Sequence, residues 1–208
     1  LLLEGVHFRR DRARAQEIGH KALAVNLSDV AAMGGRPRFA VLGLALPPDT
    51  PLEWVEGFRD GFDALATRYD VALIGGDTTR SEQGVVVSIT LLGEVKPEHL
   101  RRRDAARAGQ LVAVTGTLGD SRHALQLLEA GRSCPPGLLL RHHAPEPRVA
   151  EGAALAASTS GGAMIDLSDG LAADAAHIAR RSGVGLMLDY HALPLSPALR
   201  ALGEAVGV

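Results

Sequence analysis

The run Arg14–Met33 sets the first constraint on any fold for this chain. Its apolar side chains recur on a helical period (Ile18, Ala22, Val25, Val30), it stops at Gly34-Gly35, and Pro37 follows just beyond. A helix with an apolar stripe must bury that stripe against another element. The next segments supply one. Phe39–Leu46 reads as a buried strand. Thr50-Pro51-Leu52-Glu53 reads as a capping box with proline at the first helical position. The helix it opens carries Val55, Phe58, Phe62, Leu65 and Tyr69, three and four apart. Val71–Gly75 reads as a strand, and Gly84–Val95 as a longer one rich in β-branched residues. With Leu1–Phe8 read as a first strand, this half is expected to pack strands and helices in layers.

The basic, polar run Lys96–Gly109 reads as a crossover into a second set of elements. That set is expected to hold a strand at Leu111–Thr115, a helix at Asp120–Ala130, and a loop around Cys134-Pro135-Pro136-Gly137. A helix at Arg148–Ala157, a strand at Ala163–Leu167, a helix at Gly170–Arg181, a strand at Val184–Tyr190 and a helix from Ser196 follow. The reading is of two units, 1–97 and 98–208, in an α+β chain.

Composition excludes several classes of function. Lys plus Arg number 22 against 24 Asp plus Glu, a net charge of −2, so nothing favours nucleic acid or an anionic membrane. Aromatic residues are 3%, too few for base-stacking platforms. The one cysteine, Cys134, cannot form an internal disulfide, and no base partner marks it as a nucleophile. No apolar run approaches the roughly 18 residues of a membrane span. A reducing cytoplasm is the expected setting. The chain opens without Met, already in strand-like sequence, and stops at Gly207-Val208 without a finishing element, so it reads as a piece of a longer protein.

Four aspartates stand beside glycine or serine at the edges of regular elements. Asp29 lies in Asn26-Leu27-Ser28-Asp29 near the end of the first helix, and Asn26 shares its helix face. Asp77 follows Gly75-Gly76 at a strand end. Asp166 and Asp169 lie in Ile165-Asp166-Leu167-Ser168-Asp169-Gly170, where a strand runs into a helix. Strand ends in α/β layers are where ligands tend to sit. Carboxylates are hard oxygen ligands suited to Mg²⁺, which also keeps waters and substrate phosphates. Each residue has a plainer reading too. Asp169 could cap a helix, and Asp77 could be a turn residue. Asp29 is unfavourably placed against its helix dipole, which strengthens the functional reading. The recurrence of the same Gly/Ser/Asp chemistry at three sites carries more weight than any one of them.

Neither a Gly-x-x-x-x-Gly-Lys-Ser/Thr loop nor a Gly-x-Gly-x-x-Gly turn is present, so a nucleotide would be held some other way. Thr115–Ser121 could hold an anion at a helix start, or be only a tight strand-to-helix turn. Arg101, Arg102 and Arg103 could reach phosphate oxygens, or be a solvated linker. His7, in Glu4-Gly5-Val6-His7-Phe8, is at a strand end, and a lone strand histidine is usually structural. His142 and His143 read as surface loop residues.

Taken together, several segments resemble the thiamine-monophosphate kinase family. They are Glu4–Phe8, Lys21–Gly35, Leu73–Thr79, Ser88–Val95, Val114–Ser121 and Met164–Leu171, in order across nearly the whole chain. The Leu-Ser-Asp and Ala-Met-Gly-Gly pattern is shared with aminoimidazole-ribonucleotide and selenophosphate synthetases. Glu-Gly-Val-His-Phe and Asp-Leu-Ser-Asp-Gly-Leu point more narrowly to the thiamine enzyme. The resemblance implies an aminoimidazole-ribonucleotide synthetase-like fold: an N-terminal domain that forms a dimeric β-barrel, covered by an α/β layered C-terminal domain. It implies a Mg²⁺-dependent transfer of the ATP γ-phosphate onto thiamine monophosphate in a homodimer. By resemblance, Asp29, Asp77, Asp166 and Asp169 would be magnesium ligands. Gly76, Asp77, Arg103 and Ser168 would contact ATP, and His7 would contact thiamine monophosphate.

The sequence departs from the family pattern at several points. The family's glycine-rich acidic N-terminal segment, the Thr-Thr-Asp before the Glu-Gly-Val-His element, and the C-terminal Gly-Gly-Glu-Asp-Tyr segment are not in it. An aromatic residue usual near Arg59 is absent, and Gln110 stands where Asp is common. Two rival readings remain at this point: an ATP-using relative that activates another small substrate, or a non-catalytic nucleotide-binding relative.

Overall fold

The structure, a computed structural model, describes residues 1–158 and 161–205, with side chains in the last helix described as far as Leu202. The reading of an unfinished end at Gly207-Val208 lies outside the described residues.

The first half is a four-stranded sheet with two helices packed on one face. In chain order these are β1 (Leu2–Leu3), α1 (Ala15–Ala32), β2 (Arg36–Leu46), α2 (Leu52–Arg68), β3 (Ala72–Arg80) and β4 (Val86–Glu94). The strands lie in the order β1-β4-β2-β3. β2 runs antiparallel to β4 and parallel to β3, as a strand-helix-strand crossover through α2 requires. The periodic run begun at Arg14 becomes α1, whose Ile18, Ala22, Leu23 and Leu27 are buried. Two apolar clusters cement the layers. One joins Leu2, Phe8, Ile18, Leu44, Phe58, Val85 and Val87. The other joins Leu23, Leu27, Ala40, Phe62, Leu65 and Val71. Alternation along β2 and β4 turns Ala40, Leu44 and Val87 inward and leaves Phe39 and Leu92 exposed on the opposite face.

Three expectations for this half are corrected. Only Leu2–Leu3 of Leu1–Phe8 forms ladder bonds; residues 4–8 turn back, with Gly5 N–H donating to Phe8 O at 2.8 Å. Gly5 sits at φ +83, which glycine tolerates and most residues do not. The expected capping box does not form: Pro51 is the N-cap of α2 and the buried Thr50 hydroxyl has no bonding partner. The box chemistry appears instead on α1, where Glu17 Oε2 accepts from the Arg14 N–H at 2.8 Å. β2 also begins earlier than expected. It takes Pro37 into the strand, and the pairing with β4 shifts register between Pro37 and Phe39. A proline without a ladder donor is accommodated at such an irregularity.

The second half holds α3 (Asp120–Glu129), α4 (Pro136–His143), α5 (Val149–Ser158), α6 (Leu171–Ser182) and α7 (Pro197–Ala205). α4 was not anticipated; Pro136 at its start favours it, and Arg141 in its last turn suits the negative end of the helix dipole. The strands expected at 111–115, 163–167 and 184–190 are corrected: these segments form no ladder among the described residues. A strand exists only through its neighbour, and here no second strand lies within hydrogen-bonding reach. Leu111 and Met187 accordingly stay 97% and 92% exposed. The fold is thus mixed α+β with one open sheet.

Candidate functional site

A cleft of about 920 Å³ opens between the end of α1 and the loops that precede α3 and α6. Ser28 and Ala31 of α1 form one wall, Thr115–Ser121 a second, and Ala163–Leu171 a third.

Asp166, Ser168 and Asp169 all line this cleft. The Asp166 side chain is 16% exposed, and Arg103 Nη2 approaches its Oδ1 at 3.9 Å. Burial pushes the Asp166 carboxyl up, the Asp29 charge pushes it further, and Arg103 opposes both. The charge of Asp29, on the α1 turn next to the cleft-lining Ser28, is thus felt at Asp166, although Asp29 itself does not line the cleft. Asn26, its neighbour on α1, is committed elsewhere: its Nδ2 donates to Ala22 O at 2.8 Å.

Asp77 is placed differently. It lies on β3, a strand exposed along its whole length, where it pairs in register with Gly43 of β2, and it does not line the cleft. Gly76 beside it is required by close approach, since a Cβ there would stand 1.9 Å from Leu42 O. Among the described residues, no three His, Cys, Asp or Glu side chains come close enough to share one metal ion. Asp29 and Asp166 nonetheless suit Mg²⁺: two hard carboxylates in mutual repulsion, beside a cleft open to phosphates. Mg²⁺ commonly takes one or two protein carboxylates and completes its shell with waters and phosphate oxygens.

The three consecutive arginines separate in role. Arg101 is buried and donates to Ala156 O at 2.5 Å, a structural tie between the crossover and α5. Arg102 pairs with Asp104 at the surface. Arg103 approaches Asp166 of the cleft. Gln110, in place of a common Asp, accepts from the Arg107 N–H at 2.8 Å and closes a turn. At the start of α3 the buried Asp120 carboxylate accepts from Thr117 Oγ1 at 2.9 Å and from Ser196 Oγ at 2.6 Å. The Thr115–Ser121 loop is thereby held by its own anion, which weakens the reading of it as an anion cradle.

His7 lies outside the cleft. It lines a second cavity of about 150 Å³ with Phe8, Lys21, Leu125, His142 and His143. Its Nδ1 accepts from the Leu3 N–H at 3.1 Å, which fixes the ring and leaves Nε2 toward solvent. His142 and His143 are corrected from surface loop residues to the end of α4, where His143 is buried. Burial, with Lys21 and His143 nearby, pushes His142 down to about 4, so it is neutral at physiological pH. Its Nδ1 meets Ser121 Oγ at 2.9 Å, joining the wall of the cleft to the wall of the smaller cavity. Burial raises the Cys134 thiol, in keeping with an inert cysteine.

One residue behind the cleft-lining 166–170 segment was not singled out from sequence. Asp174, buried in the first turn of α6, accepts the backbone N–H groups of Ser168, Asp169 and Gly170. The available signal was an aspartate four residues after Gly170.

The AIR synthase related protein N-terminal domain family matches residues 1–95. The thiamine-monophosphate kinase of Salmonella typhimurium is 42% identical over 204 residues, 95% of this chain and 61% of the relative. That of Aquifex aeolicus is 39% identical over 211 residues, all of this chain and 67% of the relative. The chain belongs to the thiamine-monophosphate kinase family. AaThiL complexed with AMPPCP and TMP superposes with a TM-score of 0.91 at 39% identity, over 99% of this chain and 66% of that one. The chain spans 61% of the length of the Salmonella relative, so the segments that complete these family members extend beyond what it contains.

Proposed function

We propose that this protein transfers the γ-phosphate of ATP directly onto thiamine monophosphate, giving thiamine diphosphate. The carrying observation is its close superposition on a family member complexed with AMPPCP and TMP, together with the Asp29–Asp166–Arg103 grouping at the cleft. The acceptor is a phosphate monoester oxygen, already anionic at neutral pH, so no strong general base is needed. The obstacle is repulsion between two phosphate-bearing molecules. Asp29 and Asp166 are the first choice to hold Mg²⁺, with Asp169 beside them. Bound Mg²⁺ supplies charge neutralisation at the phosphate oxygens of both molecules. Arg103, half-exposed and only 3.9 Å from Asp166, can swing its guanidinium onto a phosphate oxygen. Ser168 and Gly76 are assigned to the nucleotide, and Asp77 to nucleotide and metal. His7, with a free Nε2, is assigned to thiamine monophosphate.

The same reading covers organisation. Residues 1–97 form the ATP-binding and dimerisation domain, and 98–208 belong to an α/β domain. The sheet of one subunit is taken to pair with that of a second in a β-barrel homodimer. A cytoplasmic setting accompanies this reading; no helix among the described residues is long and apolar enough to cross a membrane.

The test is incubation of the intact protein with ATP, Mg²⁺ and thiamine monophosphate. Thiamine diphosphate and ADP should form one for one. ADP formed with aminoimidazole-ribonucleotide precursors or selenide, and none with thiamine monophosphate, would assign it to a different reaction. ATP binding without any turnover would make it a non-catalytic relative.

A further inference from the structure

Three backbone N–H groups in a row, those of Ser168, Asp169 and Gly170, converge on one oxygen of Asp174 at 3.0, 3.1 and 3.1 Å. Consecutive amides aimed at one point form an anion-binding concavity. Here its occupant is a carboxylate of the chain itself, 2% exposed. A buried charge is tolerated only when paired or well bonded, and these three donors meet that demand. The backbone is shaped to allow it. Gly170 stands at φ +107, a conformation costly for any side-chain-bearing residue, and it caps α6 without a side-chain bond of its own. Asp174 sits one helical turn further on, so the carboxylate reaches back over the N-terminus of α6. Its location there suits the positive end of the helix dipole. The segment it fixes also carries the side chains of Asp166, Ser168 and Asp169 into the cleft.

We infer that Asp174 is a positioning residue, whose carboxylate holds the 166–170 backbone in the one arrangement that presents Asp166, Ser168 and Asp169 to metal and nucleotide. This rests on the phosphotransfer reading for what is presented, but not for the clamp. Without the carboxylate the three amides must turn to water, and water cannot hold all three to one point. The carboxylates of the segment would then lose their fixed spacing from Asp29.

The experiment uses intact protein and the variants Asp174→Asn and Asp174→Glu. Asparagine keeps the shape and one acceptor oxygen but removes the charge; glutamate keeps the charge on a longer arm. Hydrogen exchange at the Ser168, Asp169 and Gly170 amides should be slow in the wild type and at least ~10-fold faster in Asp174→Asn. The Mg²⁺ concentration for half-maximal turnover should rise ~10–100-fold, in the range of outer partners of metal ligands. The KM for thiamine monophosphate should hold, since His7 lies in the other cavity, and excess Mg²⁺ should restore much of the turnover. Asp174→Glu should fall between wild type and Asp174→Asn on both scales. Unprotected amides in the wild type, or an Asp174→Asn protein with unchanged exchange and unchanged Mg²⁺ requirement, would overturn the inference. If the wild type forms no thiamine diphosphate, the phosphotransfer reading fails alone. Amide exchange and Mn²⁺ affinity, read by water proton relaxation, still decide the role of Asp174.

Discussion

Asp166 shows how a side chain proposed to hold a metal can cost the fold something. Burial and the nearby Asp29 both raise its carboxyl above the usual carboxylate range. A carboxyl raised in the folded state favours folding most at low pH, where it is protonated. That contribution is lost as pH rises through the folded value. At neutral pH the metal-free protein therefore holds an unfavourable charge. Asp166→Asn should unfold at a higher temperature than the wild type at pH 7, and the gap should close as pH falls toward about 4, the ordinary aspartate range. The same variant should lose on the order of 100-fold in turnover at saturating Mg²⁺, as loss of one preorganised electrostatic group does. Lower thermal stability for the variant at pH 7, or near-normal turnover, contradicts one half of this argument each. Asp166 and Asp169 were visible in sequence because aspartate beside glycine at an element edge is unusual. Asp174 was not, because an acidic residue in the first turn of a helix is ordinary dipole chemistry. Only the fold shows that it reaches back to three amides.

The helices were read with most success, and the reason is periodicity. The apolar spacing in α1 and α2 leaves one burial solution, and it also leaves close contact between them. A Cβ added at Gly19 would stand 1.9 Å from Phe58 O, and one at Gly61 1.9 Å from Gln16 O. Those neighbours are backbone, so neither can swing aside. Gly19→Ala and Gly61→Ala should each destabilise by about 1–3 kcal/mol, the usual cost of overpacking. Thermal unfolding is the check, at roughly 2–4 °C per kcal/mol for a domain of this size. An unchanged melting temperature would show that the helices can separate freely. The strands of the second half were misread because a short apolar run does not declare its partner. Nor did the sequence announce the clasp joining the halves at Glu146, whose carboxylate meets Arg68 Nη1 at 2.9 Å and the Tyr69 hydroxyl at 2.8 Å. Burial, then the Glu146 carboxylate, pushes Tyr69 up to about 12. The stabilisation it brings is complete below the ordinary tyrosine value near 10 and is lost as pH climbs to about 12. Tyr69→Phe should cost about 1 kcal/mol at neutral pH. The difference from wild type in denaturant melts should narrow in strong alkali, and a pH-independent difference would assign the loss to packing.

At the scale of the whole molecule, the sheet is covered on one face only. Phe39 and Leu92 are exposed on the other face, and β3, with Leu73 and Ile74 exposed, forms a bare edge. Long apolar edges of this kind are normally blunted by charge or covered. β3 carries no charge from Ala72 to Gly76. The proposed homodimer would supply the cover, and would also account for Asp77 lying on that strand rather than in the cleft lining. If the proposed site is completed only when two copies meet, it must lose activity when they part. Sedimentation of the intact protein should therefore find a dimer, and turnover per subunit should fall on dilution through the same concentration at which the dimer dissociates. Ile74→Lys, which places a charge on the bare edge, should move both transitions upward together by at least ~10-fold in concentration, the equivalent of 1.4 kcal/mol. Full activity from a demonstrably monomeric protein would break the link between the open sheet and the chemistry. A dimer untouched by Ile74→Lys would place the contact on some other face.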